Sequence, residues 1–241
     1  MPIPLKLAMT AGEMAGNSGF SHPGAWMACH FSPSGSGLSN LPKWLPPGCL
    51  LILDDSTPMQ DHDPERIALE LGACMERLQC PGLLLDFQRP GETQAQKLAE
   101  YLCSALPFPV VVSDVYAAEL DCGVFVSPIP PDEPMVSWLS RWQGREIWLD
   151  ITMEGLELIL TEDGAKATPL PHGKWQSEGL EDRMLHCHYR ISLDENSAAF
   201  TLWRTEADIA AQLEEAETLG VTAALGLYQE FGSPPPAAEE G

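Results

Sequence analysis

The sequence predicts an α/β fold: a (β/α)8 barrel with a small antiparallel β-rich insertion after its seventh strand. Three observations predict it. Apolar runs rich in Val, Ile and Leu alternate with helical stripes through the middle of the chain. Residues 154–204 switch to two-residue alternation, and a helical stripe and one more apolar run then close the chain. Strands that are apolar on both faces and separated by helices indicate a parallel sheet covered by helices.

The elements follow in order. PLKLAMT (4–10) and GAWMACHF (24–31) read as strands one and two. The helices expected after them are poorly formed, because 11–23 and 32–47 are rich in Gly, Ser and Pro and carry no stripe. GCLLILDD (48–55) is strand three. The next helix opens on Asp63 as cap with Pro64 in its first turn, and Ile67, Leu71, Cys74, Met75 and Leu78 form its inner stripe. GLLLDFQ (82–88) is strand four, and 92–106 is a helix with Leu98, Leu102 and Ala105 facing in. PVVVSDVY (109–116), GVFVSPIP (123–130), a short amphipathic helix (133–142) and REIWLDIT (145–152) supply strands five, six and seven. Two hairpins follow, turning at Asp163-Gly164 and between 194 and 197. Thr205 with Asp208 is a capping box, Ile209, Leu213, Ala216 and Leu219 are the stripe, and 222–231 is strand eight. Residues 1–232 are thus expected to form one domain, with a lobe at about 154–204 and a disordered tail at 233–241. An open doubly wound sheet is the alternative, weakened by the lack of a glycine-rich phosphate loop.

Composition narrows the function. Asp and Glu number 35 against 13 Lys and Arg, a formal net charge of −22. That surface repels phosphate backbones and anionic lipid, which argues against nucleic-acid and membrane partners and favours a neutral or cationic ligand. The N-terminus lacks a signal-peptide core and no segment is long enough to span a bilayer, so a cytoplasmic location is expected. The seven cysteines show no CxxC and no framework spacing; Cys74, Cys80, Cys103 and Cys122 lie in apolar stretches and read as reduced core residues.

In a barrel of this kind ligands bind at the C-terminal ends of the strands. Those ends are acidic: Asp54 and Asp55 on strand three, Asp86 on four, Asp114 on five, Asp150 on seven and Glu230 on eight. Converging carboxylates raise one another's pKa and can run acid–base chemistry or hydrogen-bond sugar hydroxyls. Taken singly, each could equally be a helix cap or a solvated loop residue.

GLLLDFQ resembles the fourth-strand signature DGxDxDxE of the family 18 glycoside hydrolases, the chitinase-like barrels. The segment 186–232, from HCHYRISLDEN to the end of strand eight, is similar to the closing segment of that family's spore-germination branch. In sequence the resemblance covers about 80–90 and 186–232. Gly82 and Asp86 match the signature; Pro81 and Leu84 replace its first two aspartates, and Gln88 replaces its glutamate. The resemblance implies that the glutamate is the proton donor and that the last aspartate positions the substrate's acetamido group. An amide cannot supply that proton, so the general-acid contribution, roughly 10²- to 10⁴-fold, is lost. The family's tyrosine after strand six is also missing, whereas Tyr228 could stand in for the tryptophan that floors its sugar site.

Three functions are therefore open. The first is binding of an amino-sugar or peptidoglycan fragment without the parent reaction, through Asp54, Asp86, Gln88, Asp114, Asp150 and Tyr228. The second is a glycoside hydrolase with a re-sited acid, for which Asp86, Asp114 and Glu230 are the catalytic candidates and Asp150 a further carboxylate. The third is a protein-interaction scaffold whose contact surface is the lobe, with no partner identified. No cofactor is expected. No metal is expected either: His186 and His188 in HCH share a strand face but lack a third ligand at suitable spacing. DDSTPMQDHD (54–63) lacks the calcium-loop period and reads as a polar loop with a helix cap. Trp138, Trp142, Trp148 and Trp203 read as packing residues, whereas Trp26, Trp44 and Trp175 lie in loop-like stretches.

Overall fold

A computed structural model describes residues 3–16, 24–35, 37–59, 62–130, 133–171 and 179–232. Its first elements are β1 (Leu5–Met9), α1 (Ala11–Gly16), β2 (Gly24–Phe31), β3 (Leu38–Ser39), β4 (Leu50–Asp54), α2 (Pro64–Leu78), β5 (Leu83–Asp86), α3 (Thr93–Ala105) and β6 (Val110–Ser113). Next come β7 (Gly123–Val126), α4 (Met135–Leu139), β8 (Ile147–Ile151), β9 (Gly155–Thr161), β10 (Gly164–Leu170), β11 (Leu180–Asp182), β12 (Cys187–Asp194) and β13 (Ser197–Trp203). The chain ends with α5 (Glu206–Thr218), β14 (Val221–Leu227) and α6 (Tyr228–Phe231). Eight parallel strands run in the order β1-β14-β8-β7-β6-β5-β4-β2, and β1 pairs with β2 to close the ring. The barrel is closed, so the open doubly wound sheet is excluded.

Strand alternation divides the apolar residues into two cores. Ile52, Leu84, Val111, Phe125, Trp148 and Leu225 pack inside the barrel, while Leu51, Leu53, Leu83, Leu85 and Val112 pack outward under the helices. Asp63 caps α2 by accepting from the Glu65 N–H at 3.0 Å, and Ile67, Leu71, Cys74 and Met75 are its buried stripe. The inner stripe of α3 is Ala95, Leu98, Ala99 and Leu102; Ala105, expected to face in, is exposed, because the helix ends there and only Leu106 turns back to the core. Thr205 and Asp208 form the expected capping box on α5.

Strands β9 to β13 form a separate antiparallel sheet, ordered β10-β9-β13-β12-β11. Its two long hairpins turn at 162–163, one residue before the expected Asp163-Gly164, and at 195–196, within the expected 194–197. Strand eight is shorter than expected. It stops at Leu227, and Tyr228 and Glu230 belong to the helical turn α6. The reason is Gly226: a Cβ there would lie 2.5 Å from the Phe231 ring, so only glycine lets α6 fold back onto the strand. Among the described residues no helix is long and apolar enough to cross a membrane. The 233–241 tail and Trp175 lie outside the described residues.

Candidate functional site

The strands place side chains at the barrel mouth by simple alternation. Ile52 and Leu84 point inward, so Asp54 and Asp86, two residues on, do too; the two aspartates are register partners on adjacent strands. Trp148 sets Asp150 inward in the same way on β8, opposite Leu225 of β14. A cavity of about 280 Å³ opens above this floor, lined by Asp54, Asp86, Asp150, Glu154 and Glu230 together with Met27, Phe125, Pro128, Thr152 and Leu227. Four predicted carboxylates, Asp54, Asp86, Asp150 and Glu230, thus share one cavity. No Lys, Arg or His is among the described residues lining it.

Each acid is held differently. Asp54 bonds His30 Nδ1 at 2.7 and 2.8 Å and accepts from the Ser56 N–H at 2.8 Å. Glu230 accepts from the Thr152 hydroxyl at 2.9 Å and the Met153 N–H at 2.6 Å, so the docking of α6 carries it to the cavity wall. Asp86 accepts from the Gln88 amide at 2.5 Å. Burial pushes the Asp86 carboxyl above its ordinary value; the Gln88 bond opposes this, and Asp54 and Asp55 add to it. Asp150 is raised well above the carboxylate range, first by burial and then by repulsion from Asp86 and Glu230. A carboxyl raised in this way can donate a proton or a hydrogen bond.

The remaining candidates fall elsewhere. Asp114 follows β6 and turns from the cavity to accept from the Ser127 hydroxyl at 2.8 Å and from Arg141 at 3.3 Å, which neutralises it. Gln88 is exposed at the rim, with Asp86 its contact with the cavity. Tyr228 packs against the outer core and against Gly232, not over the cavity. Asp55 is buried and accepts the N–H groups of Gln88 and Arg89 at 3.1 and 2.9 Å, fixing the chain that leaves β5. His186 has φ 47° and lies outside β12, so it does not share a strand face with His188. It pairs with Glu215, whereas His188 bonds Asp208 at 2.8 Å. Among the described residues no group of three His, Cys, Asp or Glu could hold a metal ion.

Sequence reasoning missed His30, Thr152 and Glu154. His30 was readable in principle: it is the next-to-last residue of β2 as Asp54 is the last of β4, and the two are register partners. Among the tryptophans, Trp142, Trp148 and Trp203 are buried, Trp26 donates to the Asn40 carbonyl at 3.2 Å, and Trp44 is exposed.

The closed barrel, its antiparallel insertion and its acidic mouth define a (β/α)8 fold with a β-rich lobe after its seventh strand. No family model and no curated sequence matches the chain. The likeness lies in solved structures. The spore cortex-lytic enzyme SleL of Bacillus cereus superposes with TM-score 0.61 at 11% identity, over 97% of this chain and 72% of that one. The chitinase-like agglutinin of Robinia pseudoacacia gives TM-score 0.61 at 14% identity over 93% and 94% of the two chains. A mutant GH18 chitinase of Cycas revoluta in complex with (GlcNAc)4 gives 0.56 at 12% over 92% and 94%. At such identities the shared property is the fold.

Proposed function

We propose that this chain binds a neutral amino-sugar oligomer or peptidoglycan fragment at the cavity and has lost the parent glycosidase reaction. The observation that carries the reading is Gln88. It stands where the resembled signature has its proton donor, and its amide donates to Asp86, the one aspartate of the signature that is retained. The contact between the two positions persists while the transferable proton is gone. Asp54, Asp86, Asp150 and Glu230 offer acceptors to sugar hydroxyls and amides without any proton transfer. That one fold neighbour is named an agglutinin and another is complexed with (GlcNAc)4 supports a saccharide as ligand.

A second reading, an active hydrolase, is favoured by Asp150, the carboxyl most strongly held in its protonated form. Calorimetric titration with (GlcNAc)4, followed by chromatography of the same mixture, separates the two. Binding without cleavage is expected. Cleavage abolished by Asp150→Asn would establish the second reading, and absence of binding would remove both in favour of a protein-interaction role.

A further inference from the structure

The strand registers of the lobe gather its apolar residues on one side. Residues paired across an antiparallel sheet share a face, so the register sets Leu160, Ala198 and Leu193 in one row across β9, β13 and β12, and Leu158, Phe200 and Ile191 in the next. On β10 the same side carries Ala165 and Ala167, and on β11 it carries Leu180. The alternate residues, Glu157, Lys166, Arg190 and Asp194 among them, make the other side charged. His188 lies on that charged side and bonds Asp208 of α5 at 2.8 Å, which turns the apolar side away from the helix. The apolar side is open: Leu193 is 76% exposed, Leu180 56%, Ile191 46% and Leu160 38%. Among the described residues none of these side chains packs against either core of the barrel.

We propose that this face of the lobe is the interface of a homodimer, covered by the same face of a second copy of the chain. Its size fits. At about 4.8 Å between strands and about 3.3 Å per residue, a five-stranded face some seven residues long has a footprint of roughly 500 Å². A contiguous apolar patch of that extent marks an interaction surface. Its accessible area exceeds the flat footprint because the side chains stand out from the sheet, which brings it towards the about 800 Å² that each partner buries in a stable interface. Charge points to a second copy. The chain carries a formal net charge of −22, so two copies repel each other over most of their surface. On this side, the charge among the described strand residues is Asp182 at the base corner of β11, which accepts from the Met184 and Leu185 N–H groups at 2.9 and 3.1 Å. A cationic partner would be drawn to the acidic surface elsewhere, whereas an uncharged face meets its own copy without an unpaired charge. Packed face to face about a two-fold axis along β13, the copies set β9 of each against β12 of the other, so leucine meets leucine and isoleucine. The two sheets then form a sandwich with a core about 10 Å thick.

The test is sedimentation equilibrium of the full chain over a concentration series. A reversible dimer is expected, tightening as salt rises from about 0.05 to about 0.5 M, because screening weakens the repulsion of the acidic surfaces and leaves the apolar contact intact. Ile191→Lys places a charge at the centre of the face and should weaken the dimer at least about 30-fold, the loss expected of a central hot spot. Leu193→Lys, at a more exposed position, should weaken it too and serves if the first variant does not fold. Ser192→Lys, on the opposite side of the same strand, should leave the dimer unchanged. A wild type that stays monomeric up to about 100 μM in high salt would overturn the proposal. So would a dimer that withstands both lysine variants, which would join through another surface such as a sheet edge. A monomer whose (GlcNAc)4 binding is lost in folded Ile191→Lys would assign the face to the saccharide instead, and would equally overturn it.

Discussion

Replacing Gln88 by glutamate should restore a proton donor to the mouth. The amide nitrogen lies 2.5 Å from an Asp86 oxygen, so the substitution places two carboxyl groups in direct contact. At an effective dielectric constant of about 20, two unit charges 4 Å apart repel by about 4 kcal/mol, or about three pH units, and closer approach costs more. The pair therefore keeps one proton at neutral pH, shared along the line the amide hydrogen now occupies. A general acid contributes roughly 10²- to 10⁴-fold, equivalent to about 2.7–5.4 kcal/mol of barrier. Gln88→Glu should accordingly cleave (GlcNAc)4 at least 10²-fold faster than wild type, with a rate that falls as pH rises through the pair's upper ionisation. Single-turnover assays with chromatographic detection between pH 4 and 8 measure it. A folded variant that binds the tetrasaccharide with wild-type affinity and cleaves it no faster would refute the equivalence of Gln88 with the donor position.

Asp150→Asn should stabilise the protein at neutral pH. The folded Asp150 holds its proton to higher pH than the unfolded side chain, so wild-type stability falls as pH rises from the ordinary carboxylate range through the raised folded value. The variant's advantage should therefore be absent in acid, grow through that window and then level off, at about 1.4 kcal/mol for each unit of displacement, as thermal melts against pH would read. Asp55→Ala removes a buried acceptor from two backbone N–H groups and should cost about 2–4 kcal/mol in urea unfolding, with weaker saccharide binding because the exit of β5 loosens; a loss below about 1 kcal/mol would refute its clamping role. Gly226→Ala puts a methyl group against the Phe231 ring and should cost about 1–3 kcal/mol while displacing Glu230; unchanged stability and binding would mean that α6 does not set that wall.

The features readable in the sequence depend on local periodicity. The inward set of Leu84 and Asp86, the outward set of Leu83 and Leu85, the Thr205–Asp208 box and both hairpin turns each follow from residues within one element. The unread features depend on pairs far apart in the chain. Asp114 looks like the other strand-end acids until Ser127 and Arg141, 13 and 27 residues away, turn it from the cavity. Tyr228 leaves the strand because Gly226 admits Phe231, a contact that no alternation pattern encodes. Cys103 and Cys122 are only half-buried, although their neighbourhoods in the sequence are apolar.

The acids at the mouth bear on function through what they lack. Arg141 neutralises Asp114, backbone N–H groups satisfy Asp55, and His30 faces Asp54, whereas Asp86 and Asp150 meet chiefly other carboxylates and one amide. A barrel selected for stability alone could fill those inward positions with apolar side chains, as it does one layer below with Ile52, Leu84 and Trp148. Carboxyls raised in pKa by burial are costly to the fold, and such groups concentrate where a ligand adds to their hydrogen bonding. A ligand rich in hydroxyl and amide donors relieves that cost without bringing a charge. On the proposed reading the acidic cavity favours a polyhydroxylated neutral molecule whether or not the chain retains any chemistry, and binding is the property to measure before turnover.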